Sequence, residues 1–206
     1  MEYQVSQLVS DIKVVLDRNN AYPSLELGEA EALSLDQIVE SRILPAASYI
    51  AIKAPLELID NSKAITGSVV VSDGVGTIQL PTDFLRLHDI GMASWQGRVQ
   101  VIDDKSPLYA QQKSRFGGVR GNAQAPVAAM VKRGNQWLLE LYSCTADDVM
   151  AHGSYVAAPA ISNNKIDLST QLKDSVVYYA AYLACLSMGD TETAPRLLEP
   201  VKNMLE

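Results

Sequence analysis

The chain has 206 residues, of which 48% are apolar and 20% charged, and a net charge of −7. That apolar fraction can fill a core and excludes global disorder. The acidic balance excludes a protein that grips nucleic acid or an anionic membrane through a broad basic field.

The first segment, MEYQVSQLVSDIK, lacks a basic stretch followed by an apolar one, and no apolar run reaches the ~20 residues of a membrane span. Val5, Leu8, Val9, Ile12, Val15 and Leu16 recur at three- and four-residue spacing, which predicts a helix over about residues 3 to 18, with Asn19 and Asn20 as left-handed caps. A polar loop with Pro23, Glu26, Gly28, Glu29 and Glu31 follows. A second helix is expected to start at Ser34 as N-cap, with Asp36 in its first turn, and to run through Ile38, Val39, Ile43, Ala47 and Ile50. Pro45 predicts a kink or break in it, and Ala54-Pro55 its end.

From about Thr66 the period shifts towards two and β-branched residues accumulate: SVVVS, GVGTIQL, FLRLHDIGMASW and RVQVI, then VAAMVKR, QWLLELYS and GSYVAAP. Asp73-Gly74, Gln96-Gly97 and Gly134-Asn135 lie between these runs and predict hairpin turns. The middle of the chain therefore reads as an antiparallel module of about six or seven strands.

At the far end Leu172, Val176, Tyr179, Ala180, Leu183 and Ser187 line a helix face beside Ala181 and Ala184. Gly189 stops that helix, Thr191 caps the next, and Ala194, Leu197, Leu198, Val201 and Leu205 form its apolar stripe, bent at Pro200. The expected class is α+β: a scaffold of about four helices from both ends, residues 1–60 and 166–206, around a β insertion at 61–165.

Chemistry is sparse. The two cysteines, Cys144 and Cys185, have neither C-x-x-C nor metal-ligand spacing and read as free buried thiols of a protein kept in a reducing cytoplasm. His88 falls in a predicted strand and His152 in a turn beside Gly153, neither with a partner at ligand spacing. Asp103-Asp104 and Asp147-Asp148 suit turn capping better than acid/base work. Gly117, Gly118 and Gly121 do not join a strand to a helix as a dinucleotide site requires, and no nucleophile-elbow, zinc-helix or P-loop pattern occurs. No catalytic residue, metal ligand or cofactor is expected. Residues 103–126 form a ~24-residue connection, long enough to be functional or mobile. It concentrates Lys105, Lys113, Arg115 and Arg120, which suit a solvated loop, an arm on an acidic neighbour, or a phosphate contact.

The LPTDFLRL corner at residues 80–87, the segment SPLYAQQKSRFGGVRGNAQAPVAAM followed by WLLELYS, and the terminal VVYYAAYLACLSMGDTETAPRLLEPVKNML resemble head-to-tail connector proteins of tailed bacteriophages. The likeness is greatest to ring or adaptor proteins of crAss-like and related Bacteroidetes phages, and it runs over most of residues 35–205. It implies a virion protein in a ring of about twelve copies beneath the portal, assembled in the host bacterial cytoplasm. Its partners would be copies of itself, the portal, and other connector or tail proteins. Duplex DNA in the channel would touch it only weakly, past an acidic wall. In the corner, Pro81 fixes φ, Asp83 accepts from a nearby backbone amide, and Phe84, Leu85 and Leu87 return to the core. The interface residues expected on this reading are Phe84, Arg86 and Leu87 at the corner and Tyr109, Lys113, Arg115, Phe116 and Arg120 in the connection. This sequence departs from a simple helical adaptor in its substantial β module. A second reading is a β-rich recognition module that binds a carbohydrate or host surface component, with Trp95 and Trp137 as stacking faces that core packing would otherwise claim. An enzyme such as a metal-dependent hydrolase is the third.

Overall fold

A computed structural model describes residues 1–18 and 34–206 apart from Arg115, Gly117 and Ala146. The expected caps at Asn19 and Asn20 and the acidic loop after them lie outside the described residues. In chain order the elements are β1 (Glu2–Gln4), α1 (Val5–Arg18), α2 (Leu35–Lys53), β2 (Lys63–Ala64), β3 (Val70–Ser72), β4 (Val75–Gln79), β5 (Phe84–Met92) and β6 (Gln100–Asp103). There follow α3 (Pro107–Gln112), β7 (Val127–Arg133), β8 (Gln136–Tyr142), β9 (Met150–Ala157), β10 (Ile161–Ser162), β11 (Lys165–Asp167), α4 (Lys173–Ser187) and α5 (Ala194–Leu205). The class is α+β, and the chain divides into two units: Met1–Asn61 with Ala158–Glu206, and Ser62–Ala157.

The first unit holds α1, α2, α4 and α5. In α1 the three- and four-residue spacing puts Val5, Leu8, Ile12 and Leu16 on the buried face. The helix starts two residues later than its period suggests because Tyr3 and Gln4 pair with Ile166 and Lys165 in a small antiparallel sheet, β1-β11-β10. The β10–β11 turn was not foreseen; Asn163 and Asn164 make it by taking φ of 50° and 59°, a region that asparagine tolerates. Ser34 caps α2 in a reciprocal box: its hydroxyl accepts from the Gln37 amide, and the Gln37 side chain accepts from the Ser34 amide at 2.9 Å.

Neither proline breaks its helix. Pro45 lies inside α2 and Pro200 inside α5, each held by burial before and after it: Ile43, Ala46, Ala47 and Ile50 in the first, Leu197 and Val201 in the second. Ala54 adopts extended backbone ahead of Pro55 and ends α2. In α4 the buried face is wider than expected and made of small side chains, Ser175, Ala180, Ala181, Ala184 and Cys185 beside Val176 and Val177; Tyr179 and Leu183 are only half-buried and Ser187 is exposed. Gly189 ends α4 at φ 80°. Thr191 does not cap α5. Asp190 accepts from the amides of Glu192 and Thr193, and Thr193 occupies the cap position.

The second unit holds β2 to β9 and α3. Two sheets form, β2-β9-β5 and β3-β4-β8-β7-β6. The Asp73-Gly74 and Gly134-Asn135 hairpins form as the sequence predicts, with positive φ at Asp73, Gly74 and Gly134.

The Gln96-Gly97 hairpin does not form: β5 and β6 lie in different sheets. The amides of Gln96 and Gly97 instead both donate to the Ala123 carbonyl, and a Cβ at Gly97 would sit 1.7 Å from the Gln124 oxygen, so glycine is there for close backbone approach. The module is also not wholly antiparallel, because β6 runs parallel to β7. Parallel neighbours need a crossover of a dozen residues or more, and that is what the 103–126 connection is. It contains α3, which Ser106 caps and Pro107 opens.

Ile65, Ile78, Leu80, Phe84, Ile90, Leu139 and Leu141 form the main core of this unit. Ile102, Val127, Ala129, Val131 and Tyr142 form a second cluster, on which Leu108 and Tyr109 pack. Both cysteines are free and buried, and burial pushes each thiol up to about 11.

Candidate functional site

At the Pro81 corner the Phe84 amide donates to the Pro81 carbonyl at 3.1 Å and closes the turn. Asp83 accepts from its own backbone amide and is fixed further by side chains: Lys63 Nζ lies at 2.7 Å and the Tyr155 hydroxyl donates at 2.9 Å. These tie the corner to β2 and β9, the two other strands of its own sheet. Phe84 is buried, its ring centroid 6.3 Å from Trp137 and 5.9 Å from Tyr155. It is core. Arg86 is half-buried on β5, and Leu87 packs against the core.

Burial pulls the Asp83 carboxyl up, but the hydrogen bonds from Lys63 and Tyr155 outweigh it and hold the group below the usual range. Its stabilisation is therefore full above the unfolded value of about 3.9 and lost as pH falls through the folded one. Burial and then the bond to Asp83 push Tyr155 up to about 12. That contribution is full below about 10 and lost as pH rises towards the folded value. With 37% of the Asp83 side chain exposed, Asp83→Asn is expected to cost about 1 kcal/mol at pH 7. The difference from wild type should shrink between pH 5 and 2, as read by denaturant unfolding at each pH. A difference that grows on acidification would contradict this account.

The crossover is latched to its sheet. Glu140, buried on β8, accepts from the Tyr109 hydroxyl at 3.0 Å, the Tyr142 hydroxyl at 2.8 Å and Arg133 Nη2 at 2.6 Å. Burial, and then the bond to Glu140, raise both phenols above their ordinary range. Lys113 Nζ sits 4.5 Å from the Tyr109 ring centroid. Gln112, also buried, accepts from the Gly121 amide at 2.7 Å, and the Ser143 hydroxyl donates to the Gly121 carbonyl. Of the connection's expected contact residues, Tyr109 is therefore turned inward, Arg120 is half-buried near Gly74, and Arg115 lies outside the described residues. Phe116 is 64% exposed and Val119 50%.

The histidines make separate local pairs. His88 Nδ1 lies 3.1 Å from the Ser154 hydroxyl. His152 is in β9 rather than a turn, with Nε2 3.2 Å from an Asp89 carboxylate oxygen. Asp148 accepts from the Ser94 amide and hydroxyl and so serves a turn. Among the described residues no group of three or more histidine, cysteine, aspartate or glutamate side chains is placed to hold a metal ion. None of the described helices is long and apolar enough to cross a membrane.

The helical unit presents a surface that the sequence reading did not single out. Residues 43–52 and 175–189 contain no charged side chain. These stretches fall on α2 and α4, which pack together, yet Leu44, Tyr49 and Ile52 on the first and Leu186 on the second remain exposed. The Tyr49 and Tyr179 rings stack at 4.2 Å and 7°, and Tyr182 follows Tyr179 at 5.4 Å. Tyr179, Tyr182 and Leu186 share a helix face by their three- and four-residue spacing. The signal was in the sequence as charge-free runs, but a run of that kind reads as core until the buried face is known.

No protein-family model matches the chain, and a search of curated proteins finds no match either.

Proposed function

We propose that the chain is a non-enzymatic structural protein of a phage virion, assembling as a head-to-tail connector ring below the portal and lining the DNA channel. The observation that carries this reading is the outward, charge-free apolar surface on α2 and α4, with Ile52 48% and Leu186 43% exposed. Exposed apolar side chains on two packed helices, joined by the Tyr49–Tyr179 stack, offer a place for another protein. A ring needs a heterologous contact, in which this face on one copy meets a different face on the next and the rotation closes. The likeness of the LPTDFLRL corner, the connection and the terminal helices to connector proteins supplies the portal and tail as neighbours. Phe116 and Val119, exposed on the crossover, are the contacts this reading assigns to the ring above or below. The net charge of −7 suits a wall past which DNA must slide, since a basic wall would bind the backbone and slow it.

The test is the particle mass of the purified protein alone and after mixing with portal protein. A closed ring in either condition is the expected result. A chain that stays monomeric in both, with no association to portal or tail components, would remove the reading.

A further inference from the structure

A sheet edge is a row of unpaired amides and carbonyls, and proteins keep such rows from pairing with other chains by charge, proline, bulges or brevity. Among the described residues the edges other than β3 follow that rule. β1 carries Glu2, β2 Lys63 and β6 Asp103; β10 has two residues; β5 carries Arg86, His88 and Asp89 and shows register shifts along its pairing with β9. β3, the end strand of the five-stranded sheet, has none of these devices. Residues 64–72, AITGSVVVS, contain no charge and no proline, and β3 pairs with β4 in unbroken register. Val70 is 65% exposed, with Ser68 and Ser72 exposed beside it. We propose that β3 is a pairing edge for β3 of a second copy of this chain, in an antiparallel two-fold contact centred on Val70.

Backbone parity and sequence both select that occupant. Ser72 and Val75 flank the two-residue Asp73-Gly74 turn and so form a hydrogen-bonded pair, as do Val70 and Thr77 beyond them. Val69 and Val71 therefore aim their amides and carbonyls at the open side of the strand. An antiparallel partner must present the same pattern, and a two-fold axis through Val70 supplies it by setting Val69 of each copy opposite Val71 of the other. The sequence is a palindrome about that axis. Ser68-Val69-Val70-Val71-Ser72 reads alike in both directions, so valine meets valine and hydroxyl meets hydroxyl, both favourable cross-strand pairs. Asp73 of each copy falls opposite Gly67 of the other, and no like charges meet. Shifting the pairing by two residues towards the turn sets Asp73 opposite Val69 and Val70 opposite Ser72, and the match is lost. Val69 and Val71 pack against the core of their own unit, so the pairing continues that apolar layer into the second copy while the two Val70 side chains meet on the other face. A contact of this kind is isologous and links copies in pairs, which makes it separate from the heterologous joint of a ring.

The test uses the full chain carrying Ile52→Glu, so that the α2 and α4 face takes no part, and reads mass by analytical ultracentrifugation. A strand pairing this short buries little area, so the expected dimer is weak, half formed on the order of 100 µM. Adding Val70→Lys sets two ammonium groups face to face and should weaken the dimer at least about tenfold. Its melting temperature should not change, because residue 70 is in water in the single copy. Val70→Thr keeps a β-branched side chain and should dimerise like its parent. Cross-linking reads the register. Residues directly opposite in a non-hydrogen-bonded pair have Cα atoms about 4.5 Å apart, within disulfide reach, so Val70→Cys should oxidise to a covalent dimer. Ser72→Cys, equally on the edge, lies about 13 Å from its own counterpart across the axis and should not. Cys144 and Cys185 are buried and do not compete. The proposal is overturned if the Ile52→Glu chain stays monomeric to about 1 mM, if Val70→Lys dimerises as well as its parent, or if Ser72→Cys cross-links as fast as Val70→Cys.

Discussion

Ile52→Glu and Leu186→Glu should each abolish ring assembly while leaving the isolated chain folded. Both side chains are nearly half exposed on the free protein, so a carboxylate at either position stays in water there and should change stability by no more than about 0.5 kcal/mol. Inside an interface the same carboxylate finds no basic partner within residues 43–52 or 175–189, which carry no charge, and only Lys53 at the end of α2 lies beside Ile52. Burying it unpaired costs several kcal/mol by the general penalty for uncompensated charge, about a hundredfold or more in the contact. Every copy of a closed ring repeats that contact, so the penalty is applied at each joint and partial rings should not close. Ile52→Leu keeps the volume and should assemble as wild type. The measurement is particle mass with and without portal, beside near-ultraviolet circular dichroism to establish folding. If folded Ile52→Glu and Leu186→Glu proteins both form complete rings, the α2 and α4 face is not the contact.

How far the sequence carries depends on whether the deciding interaction is local. The capping box at Ser34, the Asp73-Gly74 and Gly134-Asn135 hairpins and the buried face of α1 are set within a few residues, and periodicity and turn chemistry reveal them. Gln96-Gly97 looks the same locally but serves a different purpose, since the Gln124 backbone that demands glycine there is 27 residues away. The β6–β7 pair fails for a related reason. A 24-residue gap reads as a loop when strands are assumed to meander, whereas its length and the Ser106-Pro107 start of α3 are the marks of a parallel crossover. The candidate contact residues divide along the same line. Aromatic and arginine residues in a corner or connection suggest an interface by type alone, but Phe84 and Tyr109 are claimed by partners distant in sequence, Tyr155 and Glu140, whereas Phe116 is 64% exposed. The charge-free face on α2 and α4 stayed hidden because apolar side chains at helical spacing look alike whether they meet a neighbouring helix or another molecule.

Glu140→Ala should destabilise the β unit by about 2–4 kcal/mol and open the crossover to protease. The carboxylate is buried and accepts from Tyr109, Tyr142 and Arg133. Alanine leaves two phenol hydroxyls without their acceptor, at about 1–3 kcal/mol for each that stays dry. Tyr142 is buried; Tyr109 is half-buried and can recover part of its loss to water. Arg133 adds little, because its side chain is 66% exposed and returns to solvent. Glu140→Gln keeps a carbonyl oxygen and should recover about half of the loss. Removing the carboxylate and both phenol hydroxyls together, in Glu140→Leu/Tyr109→Phe/Tyr142→Phe, should recover more stability than Glu140→Leu alone, since no hydroxyl is then stranded. Lys105, Lys113, Arg115 and Arg120 make the connection a run of trypsin sites, so limited trypsinolysis reports the latch directly. Cleavage between residues 105 and 120 should quicken in Glu140→Ala and return towards the wild-type rate in the triple variant, because α3 then rests on an apolar sheet. An alanine variant within about 0.5 kcal/mol of wild type, cut no faster, would mean that Leu108 and the sheet beneath it hold the crossover without the carboxylate.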